Sequence, residues 1–126
     1  VVTEGCSGSS VRGRQAEQVA AVFMELMGWR VLGRNIRGER GSGVGELDLI
    51  VCRKSLVAFV EVKARERVPD ALEALSSRQR CRLERAAEMW MACHEDVSCQ
   101  GIRFDVVVVP RSGCPQHVPD AWRPWG

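Results

Sequence analysis

The chain has 126 residues, a formal net charge of +2, 45% hydrophobic residues and 27% charged ones, which describes one soluble globular domain with little room for a second. A domain of this size buries roughly two-thirds of its unfolded surface, so folding needs neither disulfides nor a structural metal. No apolar run of about 20 residues and no charged-then-apolar leader occurs, so neither a membrane span nor a signal peptide is read, and the weak net charge excludes a simple polycationic nucleic-acid coat.

Residues 1–12 contain Gly5, Ser7, Gly8, Ser9 and Ser10 without periodicity and read as a mobile leader to a domain over 13–110. From Arg14 to Met27 the set Ala16, Val19, Ala20, Phe23 and Met27 predicts one apolar face of a helix, with Glu17 at its edge and Gly28 as its stop. Trp29 to Asn35 is a short extended segment. Gly38, Gly41, Gly43 and Gly45 then mark a flexible connection; it lacks the Gly-Lys-Ser/Thr of a P-loop and reads as a flap beside a site.

Gly45 to Cys52 predicts a strand with Leu47, Leu49 and Val51 on one face and Glu46, Asp48 and Ile50 on the other. Leu56 to Lys63 is apolar almost throughout, as in a strand buried on both faces, and Arg53-Lys54-Ser55 suits a hairpin loop between the two. A helical stretch runs from Pro69 to His94, interrupted at Ser76-Ser77. Ser77 is expected to cap its second part, and Leu83, Ala87, Trp90 and His94 to share a face. Ile102 to Val109 predicts the last strand, and residues 111–126, with Pro115, Pro119 and Pro124, a tail docked on the domain. The order helix, three strands, helix, strand gives an α/β fold: a central mixed β-sheet flanked by helices.

The six cysteines contain no C-x-x-C pair, and His94 and His117 lack paired ligand spacing. Reduced thiols are expected, as in a cytoplasmic protein, with Cys52, Cys81 and Cys93 acting as small hydrophobes. Trp29 and Trp90 read as core. Trp122 and Trp125 read as anchors for the tail or as platforms for bases.

Sixteen of the eighteen basic residues are Arg, and only Lys54 and Lys63 are Lys. Base composition accounts for the bulk of the arginines, but a Lys kept in such a chain suggests a need for a compact ammonium. Lys63 closes the run Val60-Glu61-Val62-Lys63. Strand alternation points Glu61 and Lys63 the same way, and a hairpin brings Asp48 close to Glu61. Two carboxylates at short range repel unless a cation intervenes, and hard oxygen ligands suit Mg²⁺. Lys63 is then placed to orient a water or to stabilise charge on phosphate, and Glu17 to add an oxygen ligand. Spacing alone leaves the ordinary alternative open, a solvated strand end carrying an exposed ion pair.

Gly13-Arg14-Gln15-Ala16-Glu17, Gly28-Trp29, Arg34-Asn35, Gly45-Glu46-Leu47-Asp48-Leu49-Ile50, Val60-Glu61-Val62-Lys63-Ala64-Arg65 and Arg103-Phe104-Asp105-Val106-Val107 occur in this order. Together they resemble the bacterial YraN family, placed in the PD-(D/E)xK nuclease superfamily near archaeal Holliday junction resolvases. The tail His117-Val118-Pro119-Asp120-Ala121-Trp122 resembles the family's C-terminal pattern. The resemblance implies a restriction-endonuclease-like core, with Asp48 as the metal-binding Asp, Glu61 and Lys63 as the acid and lysine of D/E-x-K, and Glu17 as the helix glutamate beside the metal. Leu47-Asp48 replaces "PD". Where the family often has a Lys in the following helix, this chain has Arg78-Gln79-Arg80, and any of the three is a candidate.

The function so implied is Mg²⁺-dependent endonuclease action on DNA, with Mn²⁺ able to substitute. Asp48 and Glu61 are the metal ligands, and Glu17, Asp48, Glu61 and Lys63 the catalytic set. Arg34, Arg37, Arg40, Arg65, Arg78 and Arg80 are the expected phosphate contacts. The expected partner is branched or otherwise structured DNA, with a homodimer left open and no membrane. The alternatives are a non-catalytic nucleic-acid-binding or scaffold protein on the same frame, and a protein-interaction module.

Overall fold

The computed structural model describes residues 11–38, 41 and 44–124. Helix α1 (Val11–Leu26) precedes strands β1 (Arg30–Ile36), β2 (Leu47–Arg53) and β3 (Leu56–Lys63). Helices α2 (Val68–Glu73) and α3 (Ser77–Cys93) lead into strands β4 (Gly101–Val108) and β5 (Gln116–Trp122). One sheet has the order β1-β2-β3-β4-β5. Only β3 and β4 run parallel; the other neighbours are antiparallel. A parallel pair needs a long crossover, which α2 and α3 provide, whereas the short β2–β3 turn at Lys54-Ser55 returns the chain antiparallel.

The sheet separates two apolar layers. Leu49, Val51, Ala58, Val60, Val62 and Val107 face α1. Ile50, Val57, Phe59, Phe104, Val106 and Val108 face α2 and α3, meeting Ala71, Leu83, Ala87 and Trp90. Near-continuous apolar strands thus arise because both faces of β3 and β4 are covered. Leu47 departs from the expected alternation: it joins the layer of Ile50 rather than that of Leu49 and Val51. This mixed α/β sheet with helices on both faces is a restriction-endonuclease-like core.

Three expectations are corrected. The buried face of α1 is Ala16, Ala20, Ala21 and Met24, while Val19 and Met27 are 43% and 56% exposed. The helix is therefore turned by roughly 60° from the predicted stripe. Alanines let it lie close on the sheet, and the turn carries Glu17 from the edge of the stripe toward the sheet. Cys52 is buried, but Cys81 and Cys93 are exposed on α3, so neither fills a core position. The cap of α3 is Ser76, not Ser77: its Oγ accepts from the Gln79 N–H at 3.1 Å. Ser76→Ala should cost about 1 kcal/mol of stability, read as a lower urea midpoint at unchanged m.

Gly28 ends α1 as expected, with φ at +96°. Its N–H reaches Glu25 O and the Trp29 N–H reaches Met24 O, both at 3.0 Å, closing the helix in the left-handed conformation that glycine favours. The expected leader lies outside the described residues up to residue 10. Residues 11 and 12 already belong to α1, where the Arg12 guanidinium reaches Glu66 at 3.3 Å and Val109 O at 3.4 Å.

The tail contributes a strand that the sequence did not announce. β5 pairs with β4 through Val106↔Val118 and Val108↔Gln116, with a register shift between Phe104 and Val106. Pro119 is tolerated because β5 is an edge strand. Trp122 is buried and stacks on Phe104 at 5.0 Å, and its Nε1 donates to Glu84 at 2.9 Å. It is thereby an anchor and not a platform for bases; Trp125 lies outside the described residues. No helix among the described residues is long and apolar enough to cross a membrane.

Candidate active site

The site forms where β2 begins and β3 ends. Leu49 pairs with Val60, and continuing that register by one residue sets Asp48 beside Glu61. The Val62 N–H donates to Asp48 Oδ2 at 3.0 Å, fixing the carboxylate against the end of β3. Glu61 is buried, at 6% exposure. Its Oε2 receives both the Lys63 ammonium and the Gln79 side-chain amide, each at 3.1 Å. Strand alternation turns Glu61 and Lys63 toward α3, where the Ser76 cap holds the first turn and so presents Gln79.

Glu17 approaches from the opposite layer, on the inward-turned side of α1, and its carboxyl hydrogen-bonds Asp48. Leu47, Phe59, Leu83, Phe104 and Trp122 form an apolar floor under Asp48 and Glu61. Burial and the neighbouring Asp48 charge raise Glu61 to about 8, against the attraction of Lys63. Burial, then Asp48, raises Glu17 to about 7. Burial raises Asp48 as well, opposed by the Val62 N–H and by hydrogen bonding to Glu61. Three carboxyls thus share protons in a space that disfavours their negative charge.

All four expected catalytic residues, Glu17, Asp48, Glu61 and Lys63, meet here. Of the three candidates in the helix after the motif, Gln79 is the one in contact with Glu61. The arginines divide. Arg34 lies exposed on β1, and its charge acts on Glu17. Arg37 is tied loosely to Glu46 at 3.7 Å. Arg65 and Arg78 are exposed beyond β3 and in the first turn of α3. Arg80 is turned away: its guanidinium lies 5.7 Å over the Trp122 ring and its Nε is buried without a partner, so it braces β5 instead of facing the cleft. Arg40 lies outside the described residues. Glu46 and Arg82 also line the cleft; Arg82 belongs to the basic stretch Arg78, Arg80, Arg82 and Arg85 of the sequence and stands three residues after Gln79.

Among the described residues no group of three or more His, Cys, Asp or Glu side chains has metal-holding geometry. Mg²⁺ does not demand such a cage, since it commonly keeps several waters and takes one or two carboxylates plus substrate phosphate. Asp48 and Glu61 offer that pair, held from behind by Val62 and Gln79, and their raised protonation marks a place that a cation would relieve.

The profile described as "Uncharacterised protein family UPF0102" matches residues 16–109. A UPF0102 protein of Paramagnetospirillum magneticum is 46% identical over 112 residues, covering 89% of this chain and 87% of that protein. A second, from Rhodopseudomonas palustris, is 40% identical over 110 residues, covering 87% and 82%. A third, from Parvibaculum lavamentivorans, is 41% identical over 112 residues, covering 89% and 81%. The matched stretch holds the helix glutamate, the strand aspartate and the E-x-K pair together, and the chain belongs to the UPF0102 (YraN) family.

Proposed function

We propose that this protein is a Mg²⁺-dependent endodeoxyribonuclease of the PD-(D/E)xK type, acting in the cytoplasm on phosphodiester bonds of branched or otherwise structured DNA. The observation that carries the reading is the meeting of Glu17, Asp48 and Glu61 with Lys63 at one buried sheet end. A structural ion pair would need one acid and one base. Three carboxyls under mutual repulsion cost stability, and perturbed groups in a cleft are the signature of chemistry.

Asp48 and Glu61 would hold the ion, which when bound supplies Lewis-acid polarisation of a phosphate oxygen and acidifies a water. The chain's own residues do the positioning. The Val62 N–H and the Gln79 amide each hold one carboxylate oxygen, and Asp48 and Glu61 stand within hydrogen-bonding reach of one another. Lys63 shares Glu61 Oε2 with Gln79 and places its remaining donors where a water or a developing phosphate charge needs them. Glu17, with a proton affinity near neutrality, holds or releases a proton at Asp48.

Supercoiled, linear and four-way-junction DNA, each with Mg²⁺, Mn²⁺ or EDTA, test the reading. Cutting is expected with either metal and not with EDTA, and Lys63→Ala should lower it by about 10²-fold or more. Binding to DNA that ignores metal, with no cutting under any condition, would instead describe a scaffold.

A further inference from the structure

The cleft above the carboxyls has a volume of about 280 Å³ and is lined by Glu46, Asp48, Glu61, Gln79 and Arg82, with Gly45 at its rim. Its charged groups are mostly engaged. Glu46 pairs with Arg37 at 3.7 Å and Glu61 with Lys63 at 3.1 Å, and Asp48 accepts from the Val62 N–H. The Arg82 guanidinium makes no ion pair or side-chain hydrogen bond with any described residue. Its backbone is nevertheless fixed. The Gly45 N–H donates to Arg82 O at 3.2 Å. A Cβ on Gly45 would stand 3.3 Å from Arg82 Cβ, so the glycine permits this approach between the β1–β2 connection and α3.

An anionic strand entering this cleft meets three carboxylates. A resident ion would offset charge at Asp48 and Glu61, whereas Glu46 is offset only loosely, by the exposed Arg37 at 3.7 Å. A further cation facing the strand would favour its entry, and Arg82 is the cation on the lining with no ion-pair partner among the described residues. One helical turn separates it from Gln79, so both project from α3 over the same opening. Arg80, two residues earlier, points to Trp122 on the other side. Resting on the nuclease reading, we infer that Arg82 grips a non-bridging phosphate oxygen of the DNA strand in the cleft, next to the phosphate being cut. The guanidinium fork suits two oxygens of one phosphate, and the Gly45 contact sets the height from which it reaches.

Arg82 acts on binding and not on the bond-making step, so its loss should separate KM from kcat. Arg82→Ala is expected to raise KM for DNA about tenfold, as for one lost charge-assisted hydrogen bond, with kcat within about twofold of wild type. In a Lys63→Ala background, which blocks cutting, Arg82→Ala should reduce the slope of log Kd against log salt by about 0.7–0.9. Arg82→Lys should restore the slope and only part of the affinity. Arg85→Ala, exposed on α3 and outside the cleft lining, should match wild type in every respect. Wild-type KM and salt slope in Arg82→Ala would overturn the inference while the nuclease reading stands. A wild-type protein that neither cuts nor binds DNA with any metal would overturn both.

Discussion

Glu61→Gln should melt at a higher temperature than wild type at pH 8, match it near pH 5, and lose metal-dependent cutting. The folded protein raises Glu61 from an ordinary 4.5 to about 8, through burial first and the Asp48 charge second. A raised acid binds its proton more tightly folded than unfolded. Its stabilising contribution is therefore complete below about pH 4.5 and is lost as pH rises through about 8. Glutamine keeps the size of the side chain and an oxygen for Gln79, but cannot become charged. Lys63 then has Asp48 as its remaining anion. The expected gain without metal is on the order of 2 kcal/mol at pH 8, or roughly 8 °C for a domain of this size. Glu17, raised to about 7, leaves a shallower decline in both proteins.

Mg²⁺ should reverse the order. On the proposed function it would bind the ionised pair and stabilise the folded state by mass action. Wild type at pH 8 should gain Tm with added Mg²⁺, wild type at pH 5 much less, and Glu61→Gln little at either pH. Scanning calorimetry at the two pH values, with and without the ion, reads all of these. Equal pH slopes in both proteins, or an equal gain from Mg²⁺, would remove Glu61 from the metal pair. Under the proposed function the acids that lower stability are those the reaction would use, and a more stable, inactive variant is the expected consequence.

The parts of this fold that were legible in the sequence are those decided by local pattern. β2, β3 and β4 show as apolar runs because both of their faces are covered. Asp48 and Glu61 meet because a two-residue turn at Lys54-Ser55 fixes the register between their strands. The buried face of α1 differs from the apolar stripe of its sequence because Val19, Phe23 and Met27 outweigh alanines in any hydrophobic count. Close packing on the sheet favoured the alanines, and Glu17 turned inward with them. Gln79 was one of three adjacent candidates, and only the direction of α3 over β3 separates it from Arg78 and Arg80. β5 was hidden because its sequence lacks strand signals: Gln116, His117 and Pro119 are weak strand formers, and Asp120 sits at φ +53°. What makes it a strand lies fifteen residues back, at Asp105.

Asp105→Ala should accordingly be the most damaging substitution outside the acidic site. Asp105 is fully buried, with 0% exposure. Its two oxygens accept from Arg103 Nε and Nη2, both at 2.8 Å, and from the Asp120 N–H at 2.9 Å; His117 Nε2 lies 2.7 Å from Oδ2. Burial alone would push this carboxyl up, but His117, Arg103 and the Asp120 N–H outweigh it and hold it below the ordinary 3.8. A depressed acid contributes stability above that ordinary value and loses it only as pH falls through the lower folded one. The cluster therefore stays ionised through the neutral range. Alanine would leave Arg103 and the Asp120 N–H without their acceptor and His117 without its partner, around the void left by a fully buried carboxylate. Breaking a buried ion pair from one side costs about 3–5 kcal/mol, and the partial exposure of Arg103 places the expected loss at the lower end of that range.

Asp105→Ala should also act at a distance. Two of the groups it releases, His117 and the Asp120 N–H, belong to β5 and tie that strand to β4 beside the backbone ladder. With β5 loosened, Trp122 leaves Phe104 and the floor beneath Asp48 and Glu61 opens to water. Water there would reduce the burial that raises Glu61, so its titration should move back toward the ordinary carboxyl range. Hydrogen exchange should speed first in β5 and the facing amides of β4, with α1 and β2 protected until global unfolding. Uniform exchange across the sheet would mean that Asp105 stabilises the whole domain without governing this strand.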